Sequence, residues 1–179
     1  MRFCLALFLI SSSFAFGLEE PQRGTCVEPS QVIFLQPPEG FSPRREVAGC
    51  YCEQGGKVLY LLRSKGQPQE LTWCVPGGKL EKGETPTQAI VREIKEEIDV
   101  TISEEKLTYC RPVYVRFPEK DFILHLFRFE FEEPPALHLD LEENSDYRWV
   151  PYEEVFELSL IPGGKECFCE ALRDKLIVK

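Results

Sequence analysis

Glu93, Glu96 and Glu97 stand three and four residues apart in the run Arg92-Glu93-Ile94-Lys95-Glu96-Glu97. On a helix, positions i, i+3 and i+4 share a face, so these carboxylates point the same way. Like charges so placed repel and cost an isolated helix about 0.2–0.5 kcal/mol a pair. Clustered carboxylate oxygens suit hard cations such as Mg²⁺. Upstream, Pro76-Gly77-Gly78 predicts a turn where backbone groups can approach a ligand closely, and Lys79 adds a positive charge beside it. Together these residues could hold a metal ion and a pyrophosphate. Singly, each is also what a solvated helix face or an ordinary turn looks like; their fixed spacing favours the chemical reading.

The acids need a helix, and periodicity predicts one over residues 85–98. Thr85 is its N-cap, Pro86 its first-turn proline and Gln88 the capping-box partner. Ile90, Ile94 and Ile98 recur every four residues on another side, so the helix can pack and still present its acids. A short strand over residues 71–75 leads into the glycine turn. Before it, residues 46–52 and 57–63 read as strands around a hairpin turn at Glu53-Gln54-Gly55-Gly56. Val32-Ile33-Phe34-Leu35 is a short strand in a Pro-rich N-terminal extension, residues 18–45. Beyond the helix, strands over 106–117 and 122–131 meet across Pro118-Glu119-Lys120-Asp121, and 147–150 is another strand. Residues 152–158 and 164–176 read as helices. The expected class is α+β, or mixed α/β, around one sheet.

Gly78, five residues, Glu84, seven residues, then Arg92-Glu93-Ile94-Lys95-Glu96-Glu97 resembles the Nudix box, and Trp73-Cys74-Val75-Pro76-Gly77-Gly78 resembles the family's approach to it. The resemblance implies a Nudix-type α/β/α sandwich around a mixed sheet, with residues 46–179 as the hydrolase domain. It implies metal-dependent hydrolysis of a phosphoanhydride bond in a nucleoside diphosphate linked to another moiety, with Mg²⁺ or Mn²⁺ as cofactor. Glu93 and Glu97 would be the main metal ligands, joined by Glu96 and the Gly78 carbonyl, while Glu84 and Arg92 would pair to brace the loop. A further acid outside the box is expected as extra ligand or general base. Glu143 is the candidate, with Glu142 and Asp146 as neighbours. Gly77, Lys79, Arg63 and Lys65 are candidates for binding the substrate, and Arg111 and Arg116 are similar phosphate candidates. One position departs: Asp99 stands where the family has glycine, which predicts a strained or shifted helix end. A Nudix-fold binding module without strong catalysis is the alternative, and the intact acids argue against it.

The remaining sequence bounds the partners. A net charge of −9 and a pI near 4.9 argue against gripping a nucleic-acid polymer and leave room for a small phosphorylated nucleotide. Residues 1–17, with Arg2, the apolar run 3–10 and Ala15-Phe16-Gly17, have the layout of a secretory signal. They predict export, periplasmic or secreted, with no membrane span after removal; without that signal the chain is expected in the cytoplasm. Loss of Cys4 with the signal leaves seven cysteines, an odd number, and Cys50 and Cys52 read as small buried side chains of a strand. Trp73 and Trp149 could stack on a base but lie in strands and read as core. His125 and His138 have no partner visible in the sequence, and the oligomeric state is open.

Overall fold

The computed structural model describes residues 32–118 and 120–176. The expected signal at 1–17, Cys4, Cys26 and Glu119 lie outside the described residues. Among the described residues eight strands form one mixed sheet: β1 (Ile33–Phe34), β2 (Pro43–Gln54), β3 (Lys57–Arg63), β4 (Trp73–Cys74), β5 (Gly77–Lys79), β6 (Thr108–Phe117), β7 (Lys120–Glu130) and β8 (Asn144–Pro151). The order is β1-β6-β7-β2-β3-β4, with β5 beside β2 and β8 beside β3. Strands β2 and β7 pair in parallel, and the other strand pairs are antiparallel.

Both faces of the sheet are covered, which is why its central strands read as nearly continuous apolar runs. Ala48, Cys50 and Cys52 of β2 and Leu59 and Leu61 of β3 pack with Ile90, Ile94 and Ile98 of helix α1 (Pro86–Ile98). Tyr51, Val58 and Tyr60 point to the other face, where they join Cys167 and Phe168 of helix α2 (Gly164–Ala171). The period of two along each strand therefore sorts residues between two helical layers, and the expected α/β/α sandwich is borne out. Among the described residues no helix is long and apolar enough to cross a membrane.

Several elements differ from the expectation. Gly77–Lys79 is a strand, not a turn, because Val47, Ala48 and Gly49 of β2 supply its partners. Strand β2 starts at Pro43 and β8 at Asn144, each three residues early, since ladder pairing extends beyond the apolar pattern. The 152–158 helix is a 3₁₀ turn over Tyr152–Glu157. The closing helix breaks at Leu172 into α2 and α3 (Arg173–Leu176). Strand β2 also forks: Glu53 and Gln54 pair with β3, whereas Val47 to Gly49 pair with β5. At the fork the Cys50 N–H donates to the Pro76 carbonyl at 2.9 Å.

Helix α1 begins with a complete capping box. The Gln88 N–H donates to the Thr85 hydroxyl and the Thr85 N–H to the Gln88 side-chain oxygen, at 3.2 and 3.0 Å. It ends at Asp99, left-handed at φ 58° and ψ 30°, with the Asp99 N–H bonded to the Lys95 carbonyl. The cap is therefore not shifted; aspartate adopts the conformation glycine would have taken. Lys95 hydrogen-bonds the Asp99 carboxylate and holds its pKa below the usual range. Asp99→Val should lower stability by about 1–2 kcal/mol, since a β-branched residue fits this conformation poorly. Asp99→Gly should unfold at nearly the parent's urea midpoint, because relief of strain offsets the lost surface pair. Urea unfolding of both variants checks this; equal losses would count against a strained cap.

Candidate active site

Helix α1 packs on β2 and β5, and the glycines of β5 make that approach close. A Cβ at Gly78 would lie 2.2 Å from Oε1 of Glu93, and one at Gly77 would lie 2.2 Å from the Ala48 carbonyl oxygen. Only a residue without a side chain lets backbone come up against the Glu93 carboxylate. The Gly77 N–H donates to Oε2 of Glu97 at 2.7 Å, while Asn144 Nδ2 donates to Oε1 at 3.1 Å. Glu97 is thus pinned between the glycine strand and the first residue of β8. It is 2% exposed. Burial, helped by the negative charges of Glu93 and Glu143, pushes its carboxyl up to about 8. Glu93 is also raised by burial, against the opposing pull of Arg92.

Arg92 organises the acid face through one guanidinium. It meets Glu84 at two points, both 3.0 Å, and reaches Glu93 at 2.9 Å, Glu96 at 2.8 Å and the Lys79 carbonyl at 3.0 Å. This forked geometry holds the loop before α1 to the helix, and it keeps the Glu84 carboxyl below its ordinary value. Glu96 is more than half exposed and turned to Arg92. Among the described residues no three Asp, Glu, His or Cys side chains close on a single point. The donors nevertheless match a hard divalent cation in kind. Glu93, Glu97 and Glu143 are oxygen donors whose charges oppose one another, and the glycine backbone beside them has no Cβ in the way.

A cavity of about 620 Å³ opens at these acids. Glu93, Glu96, Glu143, Gly77, Gly78 and Lys79 line one part of it, and Tyr51, Tyr60, Trp73, Val115 and Leu126, from the α2 side of the sheet, line another. Arg63 is in the wall, with its Nε donated to the Pro68 carbonyl at 2.6 Å. Lys65 is not brought to the wall. Its loop folds back on itself, the Gly66 N–H bonding Glu70 and the Gln67 side chain bonding the Glu142 carbonyl. Arg111 and Arg116 are likewise engaged elsewhere, at 2.7 Å from Glu170 and 3.1 Å from Asp121. Trp73 lines the cavity under the Arg148 guanidinium, 4.8 Å from the ring centroid, and Trp149 packs in the α1-side core. His125 does have partners, Glu46 at 2.7 Å and the Tyr109 hydroxyl at 3.1 Å, and His138 lies 3.8 Å from Asp99. Asn144 was missed, since a strand pattern carries no mark of which buried polar group meets a site.

Comparison with known proteins agrees with the fold. The NUDIX domain profile matches residues 42–170. The chain is similar to the CTP pyrophosphohydrolase of Escherichia coli K12, 32% identical over 122 residues that cover 66% of this chain and 84% of that protein. It is similar to the RNA pyrophosphohydrolase of Nitratiruptor sp., 30% identical over 112 residues covering 56% and 71%. The crystal structure of the MutT protein from Methanosarcina mazei superimposes with a TM-score of 0.65 at 23% identity, covering 74% of this chain and 96% of that one.

Proposed function

This chain belongs to the Nudix hydrolase family, and from that premise we propose that it is a Mg²⁺-dependent nucleoside triphosphate pyrophosphohydrolase, releasing a nucleoside monophosphate and pyrophosphate. The observation that carries the reading is that one cavity joins Glu93, Glu96 and Glu143 at one part to an apolar wall at another. That pairing suits a molecule with a charged phosphate chain and a largely apolar base.

Glu93, Glu97 and the Gly78 carbonyl would hold the cation, joined by Glu96, with Mn²⁺ as an alternative ion. Bound there, it supplies a Lewis acid that lowers the pKa of a water and offsets charge on phosphate oxygens. The protein's own groups do the rest. The Gly77 N–H and the Asn144 amide fix the Glu97 carboxylate, and Arg92 keeps Glu93 registered on the glycine strand. Glu143 takes the proton of the attacking water. The water oxygen bonds to one phosphorus, and the bridging oxygen leaves with the other phosphate. Lys79 and Arg63 in the cavity wall balance phosphate charge.

Several relatives are named RNA pyrophosphohydrolase, and a triphosphorylated RNA 5′ end carries the same kind of anhydride. The net charge of −9 and the engagement of Arg111, Arg116 and Arg128 in ion pairs favour mononucleotides instead. The test is product release by the chain from a panel of nucleoside triphosphates, ADP-ribose, dinucleoside polyphosphates and a 5′-triphosphorylated oligoribonucleotide, with Mg²⁺ or with EDTA. The expected result is Mg²⁺-dependent cleavage of a nucleoside triphosphate. Cleavage of only the oligoribonucleotide, or of nothing, overturns the proposal. Glu143→Gln should lower kcat about 10²- to 10⁴-fold, the scale of a general base, with KM little changed. An unaffected Glu143→Gln beside an impaired Asp146→Asn would move the base to Asp146.

A further inference from the structure

Glu143 is exposed in the cavity wall, at the end of the loop that leads into β8, so the aim of its carboxylate depends on how its backbone is held. One set of bonds comes from Asp140. Its N–H donates to the Glu97 backbone carbonyl at 3.0 Å, which hangs the loop from the last turn of α1. Its carboxylate accepts the Glu142 N–H at 2.9 Å, and its carbonyl accepts those of Glu143 and Asn144 at 3.2 and 2.9 Å.

The carbonyls on the other side are met by a distant segment, residues 64–71 after β3. The Ser64 hydroxyl donates to the Leu141 carbonyl and the Gln67 side-chain amide to that of Glu142, both at 3.2 Å. The Ser64 N–H donates to the Glu143 carbonyl at 2.9 Å. Three successive carbonyls are therefore taken by two residues, and Ser64 is buried to do so. The 64–71 loop is itself strained. Gln69 and Leu71 have φ of 59° and 58°, left-handed backbone that such residues keep only where the surroundings over-determine it. Bonds from the Arg63 Nε to the Pro68 carbonyl and from the Leu71 N–H to the Arg63 carbonyl close the loop. Thus closed, it places Gln67, Pro68 and Gln69 in the same cavity wall as Glu143. A plain connection from β3 to β4 needs neither the strain nor bonds reaching 75 residues along the chain.

We propose that Ser64 and Gln67 are positioning residues for Glu143, holding its backbone so that the carboxylate meets the attacking water. The proposal deepens the hydrolase reading and rests on it, and on Glu143 as the base.

The test places Ser64→Ala and Gln67→Met in the full chain, each alone and each combined with Glu143→Gln. Either change removes one of the three bonds and keeps the Ser64 N–H bond to Glu143, so the loop keeps its fold. A displacement of about 1 Å can cost 10²-fold in rate, so each single variant should lower kcat about tenfold, with KM for the nucleoside triphosphate within about twofold. In the Glu143→Gln background the same changes should lower the residual kcat less than about twofold, because the group they aim is gone. Amide hydrogen exchange at residues 142–144 should quicken about tenfold in both single variants. Equal losses in the two backgrounds would make the residues merely structural, and a raised KM with unchanged kcat would put Gln67 on the substrate. Either result overturns the proposal, as do unaltered exchange and a Glu143→Gln protein as active as the parent. Failure of the hydrolase reading looks different: even the parent cuts no anhydride in the substrate panel, while exchange at 142–144 still quickens in the variants.

Discussion

Replacing Glu97 by Gln should leave a folded protein whose turnover falls on the order of a thousandfold, the scale of removing a group that stabilises developing charge. Gln keeps the shape and one acceptor oxygen for the Gly77 N–H, now 2.7 Å from Oε2. Its NH2 can donate to the Asn144 side-chain oxygen, which has no partner among the described residues, once that amide turns over. What it loses is the negative charge that a cation needs. The same change should stabilise the metal-free protein, in a pH-dependent way. The Glu97 carboxyl rises from its ordinary 4.5 to about 8 in the folded state. Below pH 4.5 it is protonated in both states and contributes no penalty. As pH rises, the unfolded chain ionises first, so stability is lost from 4.5 upward, and the loss is complete once pH passes about 8. Gln has no such titration. In EDTA, the stability difference between Glu97→Gln and the parent should therefore be small near pH 5 and reach a few kcal/mol at pH 8.5. Urea unfolding at the two pH values and kcat with Mg²⁺ supply the readouts. Near-normal turnover with unchanged Mg²⁺ dependence would sink the ligand assignment, and a pH-independent stability difference would sink the burial argument.

The parts of this site that were legible in the sequence are those whose partners lie nearby in the chain. The capping box spans Thr85 to Gln88, and the spacing from Gly78 through Glu84 to Arg92 and Glu97 is local. The apolar runs of β2 and β3 around the Glu53-Gln54-Gly55-Gly56 turn likewise marked a hairpin. What could not be read is set by distant partners. Asn144 meets Glu97 across 47 residues and follows no pattern of its own. Gly77–Lys79 becomes a strand only because β2 lies beside it, so its local glycines argue for a turn. Arg111 reads as an available cation until Glu170, 59 residues on, is placed beside it. His125 has the same history with Glu46, 79 residues away.

Glu53→Leu should destabilise the protein by about 3–5 kcal/mol while leaving the acid cluster intact. Glu53 is 1% exposed at the end of β2, where a carboxylate is tolerated only if its lone pairs are met. They are met from three elements. Arg128 Nε of β7 donates to one oxygen at 2.9 Å, and Lys175 Nζ of α3 and the Tyr152 hydroxyl donate to the other, Lys175 at 2.8 Å. Burial, then the carboxylate itself, raise the Tyr152 phenol, so it remains the donor. The carboxylate therefore clasps the hairpin, the long central strands and the C-terminal helix together. Leucine fills part of the volume but strands Arg128 and Lys175, which are mostly buried and, among the described residues, keep only Asp174 and Glu130 as partners. Glu130→Gln removes a more exposed contact to the same lysine and should cost under about 1 kcal/mol. Because the clasp is buried, the Glu53→Leu loss should change little between low and high salt, whereas any Glu130→Gln loss should be screened away. Adding Lys175→Met to Glu53→Leu should recover part of the loss by removing one of the stranded charges. Urea midpoints for the three variants at two salt concentrations decide it: a Glu53→Leu loss no larger than that of Glu130→Gln would mean the clasp contributes nothing beyond a surface pair.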